Sequence, residues 1–137
     1  MTALIPVNTR PPEYQDRPLT DEEAGAVFRA IVNLFRLWDL TDEQAAVLLD
    51  VPLSTYRRWK RDGAGRIDRD KATRLSCILG IHKALRLIFV EPSRGYSWIK
   101  APNDVFGGRS ALEVMLGGSI LDLYRVRTYL DAERSGW

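Results

Sequence analysis

Residues 40–59 read LTDEQAAVLLDVPLSTYRRW, and this stretch decides the fold. Thr41 followed three residues later by Gln44 is a capping box, which predicts that a helix begins here. The small residue Ala46 lets this helix lie close to a second one, and Val51 supplies the apolar side chain that a tight turn between the two helices needs. The stretch therefore predicts a helix-turn-helix.

The second helix of this motif combines anchoring aromatic residues with a polar and basic face. Tyr56 and Trp59 lie three residues apart, which places both on the side that packs against the rest of the protein. A face rich in Ser, Thr, Arg and Lys suits the major groove of DNA, where arginine can pair bidentately with guanine. A basic helix face can also be merely solvated, but the complete anchoring pattern beside it favours DNA binding. We expect the residues nearest the bases to be Ser54, Thr55, Arg57 and Arg58, and those nearest phosphate to be Lys60, Arg61, Arg66 and Arg69.

The charge distribution agrees with that interpretation. The whole chain of 137 residues has a net charge of only +2. Residues 1–56 hold four Arg against nine Asp and Glu, whereas residues 57–74 hold eight Lys and Arg against three Asp. One short segment thus carries the positive charge that a nucleic acid would require.

The rest of the chain predicts an all-α protein, because apolar residues recur at three- and four-residue steps and no strand-like alternation is sustained. At the N-terminus, residues 1–18 are rich in Pro and polar residues, which is typical of a flexible arm rather than a signal peptide. Turn signals fill residues 93–108, including Ser93-Arg94-Gly95. Apart from the helix-turn-helix, we expect helices from Thr20 to about Leu37, from Asp68 to shortly before Pro92, from Ser110 to Leu116, and from about Ser119 to Ala132.

The opening stretch resembles the Xre-type helix-turn-helix family, whose members typically read Leu-Thr-Gln-x-x-x-Ala-x-x-Leu-Gly-Val-Ser-x-x-Thr-Ile-x-x-Trp. Asp50 occupies the usual turn Gly, which is tolerable because Asp can adopt a left-handed conformation. Pro52 replaces the usual capping Ser, so the contacts with bases could shift by one residue. The matching residues are Ala46, Leu49, Val51, Thr55 and Trp59.

A second resemblance lies in residues 96–115, which read YSWIKAPNDVFGGRSALEVM. They are similar to the characteristic block of the MbcA/ParS/Xre antitoxin family, roughly Trp-Leu-x-x-Pro-Asn-x-x-Leu/Phe-Gly-Gly-Arg/Lys-x-Pro-Leu-Asp/Glu-x-Leu. Ala111 stands where the family often has Pro. Trp98 and Phe106 can bury large apolar areas, and Gly107-Gly108 permits backbone angles barred to other residues. The block could also serve only to hold a small helical subdomain together.

The resemblance implies a particular architecture and role. It implies an N-terminal Xre-like helix-turn-helix bundle over residues 19–90, followed by a small helical toxin-binding, ParS-like domain over residues 91–137. Such antitoxins typically pair with a RES-domain toxin that consumes NAD, and they repress their own operon by binding operator DNA. They are not catalysts and need no cofactor. The residues that we assign to toxin binding are Arg109, Arg125, Tyr129, Arg134, Gly136 and Trp137.

The expected assembly and location follow from simpler features. Helix-turn-helix proteins commonly read two-fold half-sites, so we expect a homodimer. The last helix carries more apolar residues than one narrow stripe can hold, which favours the C-terminal half as the dimer or partner surface. A single cysteine, Cys77, allows no disulfide within the chain, and no apolar run is long enough for a bilayer. We therefore expect a cytoplasmic protein with no membrane contact.

Enzymatic chemistry and small-molecule substrates are disfavoured by the residues present. The single histidine, His82, has no second ligand at metal-binding spacing, and Cys77 lies on another side of the same predicted helix. Gly63-Ala64-Gly65-Arg66 lacks the Gly-Lys-Ser/Thr ending of a phosphate loop. Two alternatives to the antitoxin stay open: a transcription regulator without a toxin partner, and an interaction module whose helix-turn-helix no longer binds DNA.

Overall fold

The computed structural model describes residues 20–135, so the predicted arm over residues 1–18 lies outside the described part. Within the described part every regular element is helical, which confirms the all-α prediction, and an isolated bridge joins Pro102 to Ser110. The seven α-helices are α1 (Asp21–Leu37), α2 (Asp42–Leu49), α3 (Leu53–Asp62), α4 (Arg69–Ile88), α5 (Pro92–Lys100), α6 (Ala111–Met115) and α7 (Ile120–Arg134), with a 3₁₀ turn at Asp104–Phe106.

Local capping interactions explain where these helices begin. The Thr41 hydroxyl accepts from the N–H of Gln44, and the Gln44 side chain accepts from the N–H of Thr41. Asp68 caps α4 by accepting from the N–H of Lys71 at 2.9 Å. Each cap satisfies backbone donors that the first helical turn leaves without a partner. The predicted starts of α2 and α4 are therefore confirmed.

The expected turn at residues 93–95 was wrong, because these residues belong to α5. Pro92 occupies the first position of α5, where a proline costs nothing since that N–H has no partner within the helix. Gly95 is buried, and a Cβ at this position would lie 3.4 Å from Cβ of Leu85. The glycine thus serves close packing of α5 on α4 rather than a turn.

Helix α4 lies at the centre of the molecule, and α1, α2, α5 and α7 all pack against it. Ile78, Ile81 and Leu85 of α4 are fully buried in one apolar core that extends from α1 to α7. The guanidinium of Arg127 in α7 lies against Gly80, where a Cβ would approach its Cζ to 2.6 Å. A glycine at this point therefore leaves room for the guanidinium of Arg127 between α4 and α7.

The structure also bears on membrane insertion. Within residues 20–135, no helix is both long and apolar enough to cross a bilayer.

Because one core joins the N-terminal and C-terminal helices, we predict a single unfolding transition. Ile81→Ala should lower the free energy of unfolding by about 2–5 kcal/mol, since it deletes a fully buried side chain. Ser76→Ala, on the exposed side of the same helix, is the matched control and should change it by less than about 0.5 kcal/mol. Urea denaturation followed by circular dichroism and by tryptophan fluorescence would measure both, and two separated transitions would contradict the prediction.

Candidate functional site

The turn between α2 and α3 has the geometry that the sequence pattern requires. Asp50 adopts the left-handed conformation, with φ 54° and ψ 51°, as expected for a residue in place of the usual glycine. The N–H of Val51 donates to the carbonyl of Ala46 at 3.0 Å, which closes the turn. Pro52 makes no side-chain cap, yet α3 begins directly after it, at Leu53.

Two cations at the start of α4 bind the end of α2. Lys71 Nζ donates to the carbonyl of Asp50 at 2.8 Å, and the buried Arg74 donates to the carbonyl of Leu48 at 3.2 Å. Cations are favourable at a helix C-terminus, where carbonyl groups lack partners within the helix. From the sequence, Lys71 and Arg74 were recognised only as positive charges. They lie three residues apart on the side of α4 that packs against other helices, and this spacing could have indicated that they contact another helix.

Aromatic contacts anchor α3, as its spacing predicted. Tyr56 is buried with its ring 6.2 Å from that of Phe28, and the edge of Trp59 meets Phe28 at 5.7 Å. Burial raises the pKa of Tyr56 to about 12, so its hydroxyl stays protonated. Much of the remaining surface of the helix is exposed to solvent. It includes Ser54, Arg57, Arg58, Lys60 and Arg61, whereas Thr55 is half-buried, and Lys60 Nζ lies 5.6 Å from the centre of the Tyr56 ring.

Carboxylates at the start of α2 bind two of these cations. Asp42 accepts from Lys60 Nζ at 2.9 Å and from Arg57 Nε at 3.4 Å, and Glu43 lies 3.6 Å from the Arg57 guanidinium. The hydrogen bond from Lys60, more than any other contact, holds the pKa of Asp42 below its ordinary value. Asp42 was not among the residues predicted from the sequence to belong to this site. Its signal is an acidic residue at the position where the Xre pattern has a neutral glutamine.

The remaining predicted DNA-contacting cations differ in their surroundings. Arg61 makes two hydrogen bonds to the neighbouring Asp62, at 3.0 and 3.1 Å. Among residues 20–135, Arg58 has no carboxylate within ion-pair distance. Arg66 is exposed in the loop after α3, and Arg69 is exposed as the first residue of α4. The structure therefore places all eight predicted residues on α3 or on the segment that follows it.

A closed loop over residues 102–110 carries the second sequence block. The side-chain oxygen of Asn103 accepts from the N–H of Val105, and the backbone carbonyl of Asn103 accepts from the N–H of Gly108, both at 3.0 Å. Gly107 and Gly108 both have positive φ, at 67° and 86°. Arg109 follows them and is exposed, and the next residue, Ser110, caps α6.

Aromatic residues fix α7 to this loop and to α5. The Tyr129 ring stacks on Trp98 at 6.1 Å with an interplanar angle of 6°, and it meets Phe106 edge-on at 5.6 Å. The Arg125 guanidinium lies over the Phe106 ring at 5.5 Å, which is a cation–π contact. Tyr129 is therefore half-buried in an internal cluster, whereas Arg125 is exposed at its edge.

The outer face of α7 combines cations with exposed apolar side chains. Leu121 is 72% exposed and Tyr124 is 42% exposed, and both lie on the face opposite the buried Leu123 and Val126. Arg134 is exposed at the end of the helix. Of the predicted toxin-binding residues, Gly136 and Trp137 lie outside the described part.

The groups that could support catalysis lie apart from both surfaces. Cys77 is buried in the core, and burial raises the pKa of its thiol. His82 stacks against Tyr96, with ring centroids 6.4 Å apart, and burial lowers its pKa. Within residues 20–135, no group of three His, Cys, Asp or Glu residues could hold a metal ion.

Two family models match this chain, and together they span most of it. Residues 17–80 match the antitoxin Xre-like helix-turn-helix domain. Residues 84–136 match the antitoxin Xre/MbcA/ParS C-terminal toxin-binding domain. Both resemblances seen in the sequence are thereby confirmed.

The chain is also similar to individual proteins. The chain is 45% identical over 112 residues to the uncharacterized protein y4oB of Sinorhizobium fredii (strain NBRC 101917 / NGR234), covering 81% of this chain and 86% of that protein. The fold of the present chain is similar to that of a chain in the crystal structure of the MbcT-MbcA toxin-antitoxin complex of M. tuberculosis. The match has a TM-score of 0.55 at 18% identity and covers 80% of this chain and 95% of that chain.

The glycine pair before Arg109 gives a test of the loop geometry. Gly108→Ala should lower the free energy of unfolding by about 1–2 kcal/mol, because φ of 86° is unfavourable for a residue with a Cβ. The matched control is Gly25→Ala within α1, where alanine should raise it by about 0.5–1 kcal/mol. Thermal unfolding would measure both changes. A stabilising Gly108→Ala would show that the loop does not require this backbone conformation.

Proposed function

The chain belongs to the Xre/MbcA/ParS antitoxin family, and on that premise we propose that it neutralises a RES-domain, NAD-consuming toxin and represses its own operon by binding operator DNA. The observation that carries this proposal is the presence of both domains in one chain, in the order helix-turn-helix then toxin-binding domain. We assign DNA binding to residues 19–90, and toxin binding and dimerisation to residues 91–137. The protein acts by binding and not by catalysis.

The exposed face of α3 supports the DNA-binding half of the proposal. Ser54 and Arg58 lie four residues apart, so they share one face of the helix and point away from the buried Tyr56. An arginine on such a face can read guanine, and the nearby Arg66 and Arg69 can bind phosphate. As a homodimer, the protein would present two such faces to a two-fold operator.

The outer face of α7 supports the toxin-binding half. Leu121 and Tyr124 expose apolar surface beside Arg125, on a helix whose inner face is already buried. Exposed apolar side chains edged by cations are typical of a protein interaction surface. Arg109 and Arg134 extend the positive charge along this domain. We propose that the toxin binds here and that the C-terminal residues obstruct its active site.

DNA binding should depend strongly on Arg58. Arg58→Ala should weaken binding to the promoter of the protein's own operon by about ten- to a hundredfold, because it removes a cation placed to pair with a base. Arg86→Ala removes the same charge from an exposed position in the last turn of α4 and is the matched control. Fluorescence anisotropy at constant salt would measure both affinities. Equal losses for the two variants would mean that the α3 face does not read the operator.

Toxin neutralisation should depend on the C-terminal end. Deleting residues 134–137 should abolish neutralisation of the RES protein encoded next to this gene while leaving operator affinity unchanged, which serves as the internal control. Co-purification and an assay of NAD consumption would measure toxin neutralisation, and fluorescence anisotropy would measure operator affinity. Full protection by the truncated chain would refute the tail mechanism. The absence of any complex between the full-length proteins would instead favour a regulator without a toxin.

A further inference from the structure

Asp42 lies between two cations of the recognition helix α3, within 2.9 Å of Lys60 and 3.4 Å of Arg57. Glu43 adds a second carboxylate 3.6 Å from Arg57. The two acidic residues therefore balance the two basic ones. They also bring negative charge to the first turn of α2, beside the face that we propose for DNA.

The geometry of α3 separates these cations from Arg58. Arg57 and Lys60 are three residues apart and both point towards the start of α2, where Asp42 bridges them. Ser54 and Arg58 lie on the outward face instead. Among the described residues, Arg58 is the α3 cation without a carboxylate within ion-pair distance.

A phosphate that approached Arg57 or Lys60 would have to compete with Asp42. Exposed ion pairs are weak, so these pairs do little for the stability of the fold. The effect of these ion pairs on the affinity for DNA can be larger than their effect on stability. Each cation that contacts a phosphate releases counterions, which steepens the fall of affinity with salt by about 0.9 in the logarithmic slope.

We propose that Asp42 is a positioning residue that keeps Arg57 and Lys60 from binding phosphate, so that binding to DNA of any sequence is weak and Arg58 dominates recognition. This inference rests on the DNA-binding half of the proposed function. Asp42 would thereby contribute to specificity, because it suppresses phosphate contacts, which carry no sequence information.

The test compares Asp42→Asn with Glu91→Gln, which also removes one negative charge but lies beyond the far end of α4. Affinity for a short duplex of scrambled sequence would be measured between about 50 and 200 mM salt. Asp42→Asn should bind about tenfold more tightly at the lower salt, with a slope steeper by about 1–2, since Lys60 becomes available and Arg57 keeps only the 3.6 Å contact with Glu43. Glu91→Gln should keep the wild-type slope.

Further variants separate this role from a structural one. Asp42→Glu keeps the charge and should restore the wild-type slope. Adding Arg57→Ala and Lys60→Ala to Asp42→Asn should remove the gain, whereas the same pair in the wild-type background should leave the slope nearly unchanged. Thermal melting checks the fold, which the Thr41 and Gln44 capping box should preserve.

Each outcome distinguishes the inference from the proposed function. If the wild type binds its operator and Asp42→Asn behaves like Glu91→Gln, only the inference is overturned. If Arg57→Ala with Lys60→Ala flattens the wild-type slope by about 2, those cations already bind phosphate and the inference is also overturned. If neither the wild type nor Asp42→Asn binds any duplex, both fail. Binding by Asp42→Asn alone would support the inference while refuting repression by the wild type.

Discussion

The packing of both halves of the chain on α4 is the constraint on which the rest of the structure depends. The first turns of this helix bind the end of α2 through Lys71 and Arg74, and its later turns receive α5 and α7. A second link joins the halves where Lys100 donates to the carbonyl of Asp39 at 2.7 Å. Because α4 belongs to both halves, neither surface can shift without disturbing buried residues of the same core. The two surfaces that we propose for DNA and toxin are therefore held in one fixed relation.

This arrangement changes how the basic segment should be understood. Eight cations over residues 57–74 give the impression of a continuous DNA-binding surface. In the folded protein, however, four of them are bound within the chain. Arg57 and Lys60 bind carboxylates at the start of α2, and Lys71 and Arg74 bind carbonyl groups at its end. A fifth, Arg61, is paired with its neighbour Asp62. Among these eight, Arg58, Arg66 and Arg69 have no ion pair within residues 20–135. Net charge in the sequence thus overstates the number of cations that are not paired within the protein.

The sequence predicted what depends on local interactions and missed what depends on distant ones. Capping boxes are complete within four residues, so the starts of the helices could be recognised, and the spacing of Tyr56 and Trp59 showed which side of α3 is anchored. The partner of Arg57 lies 15 residues away on another helix, and the spacing of residues within α3 does not reveal it. Gly95 was misinterpreted for the same reason, since a buried contact with α4 and a turn both favour glycine.

The two faces of α7 differ, and the buried one restrains the face that we propose for the toxin. Stacking of Tyr129 on Trp98 fixes the rotation of the helix about its axis, so the side chains on its outer face have a defined direction. The cation–π contact with Phe106 further restrains Arg125, which otherwise would lose much rotational freedom on binding. If the toxin binds this face as we propose, it meets Arg125 already restrained. The aromatic cluster is internal, yet it would lower the entropic cost of binding at the surface beside it.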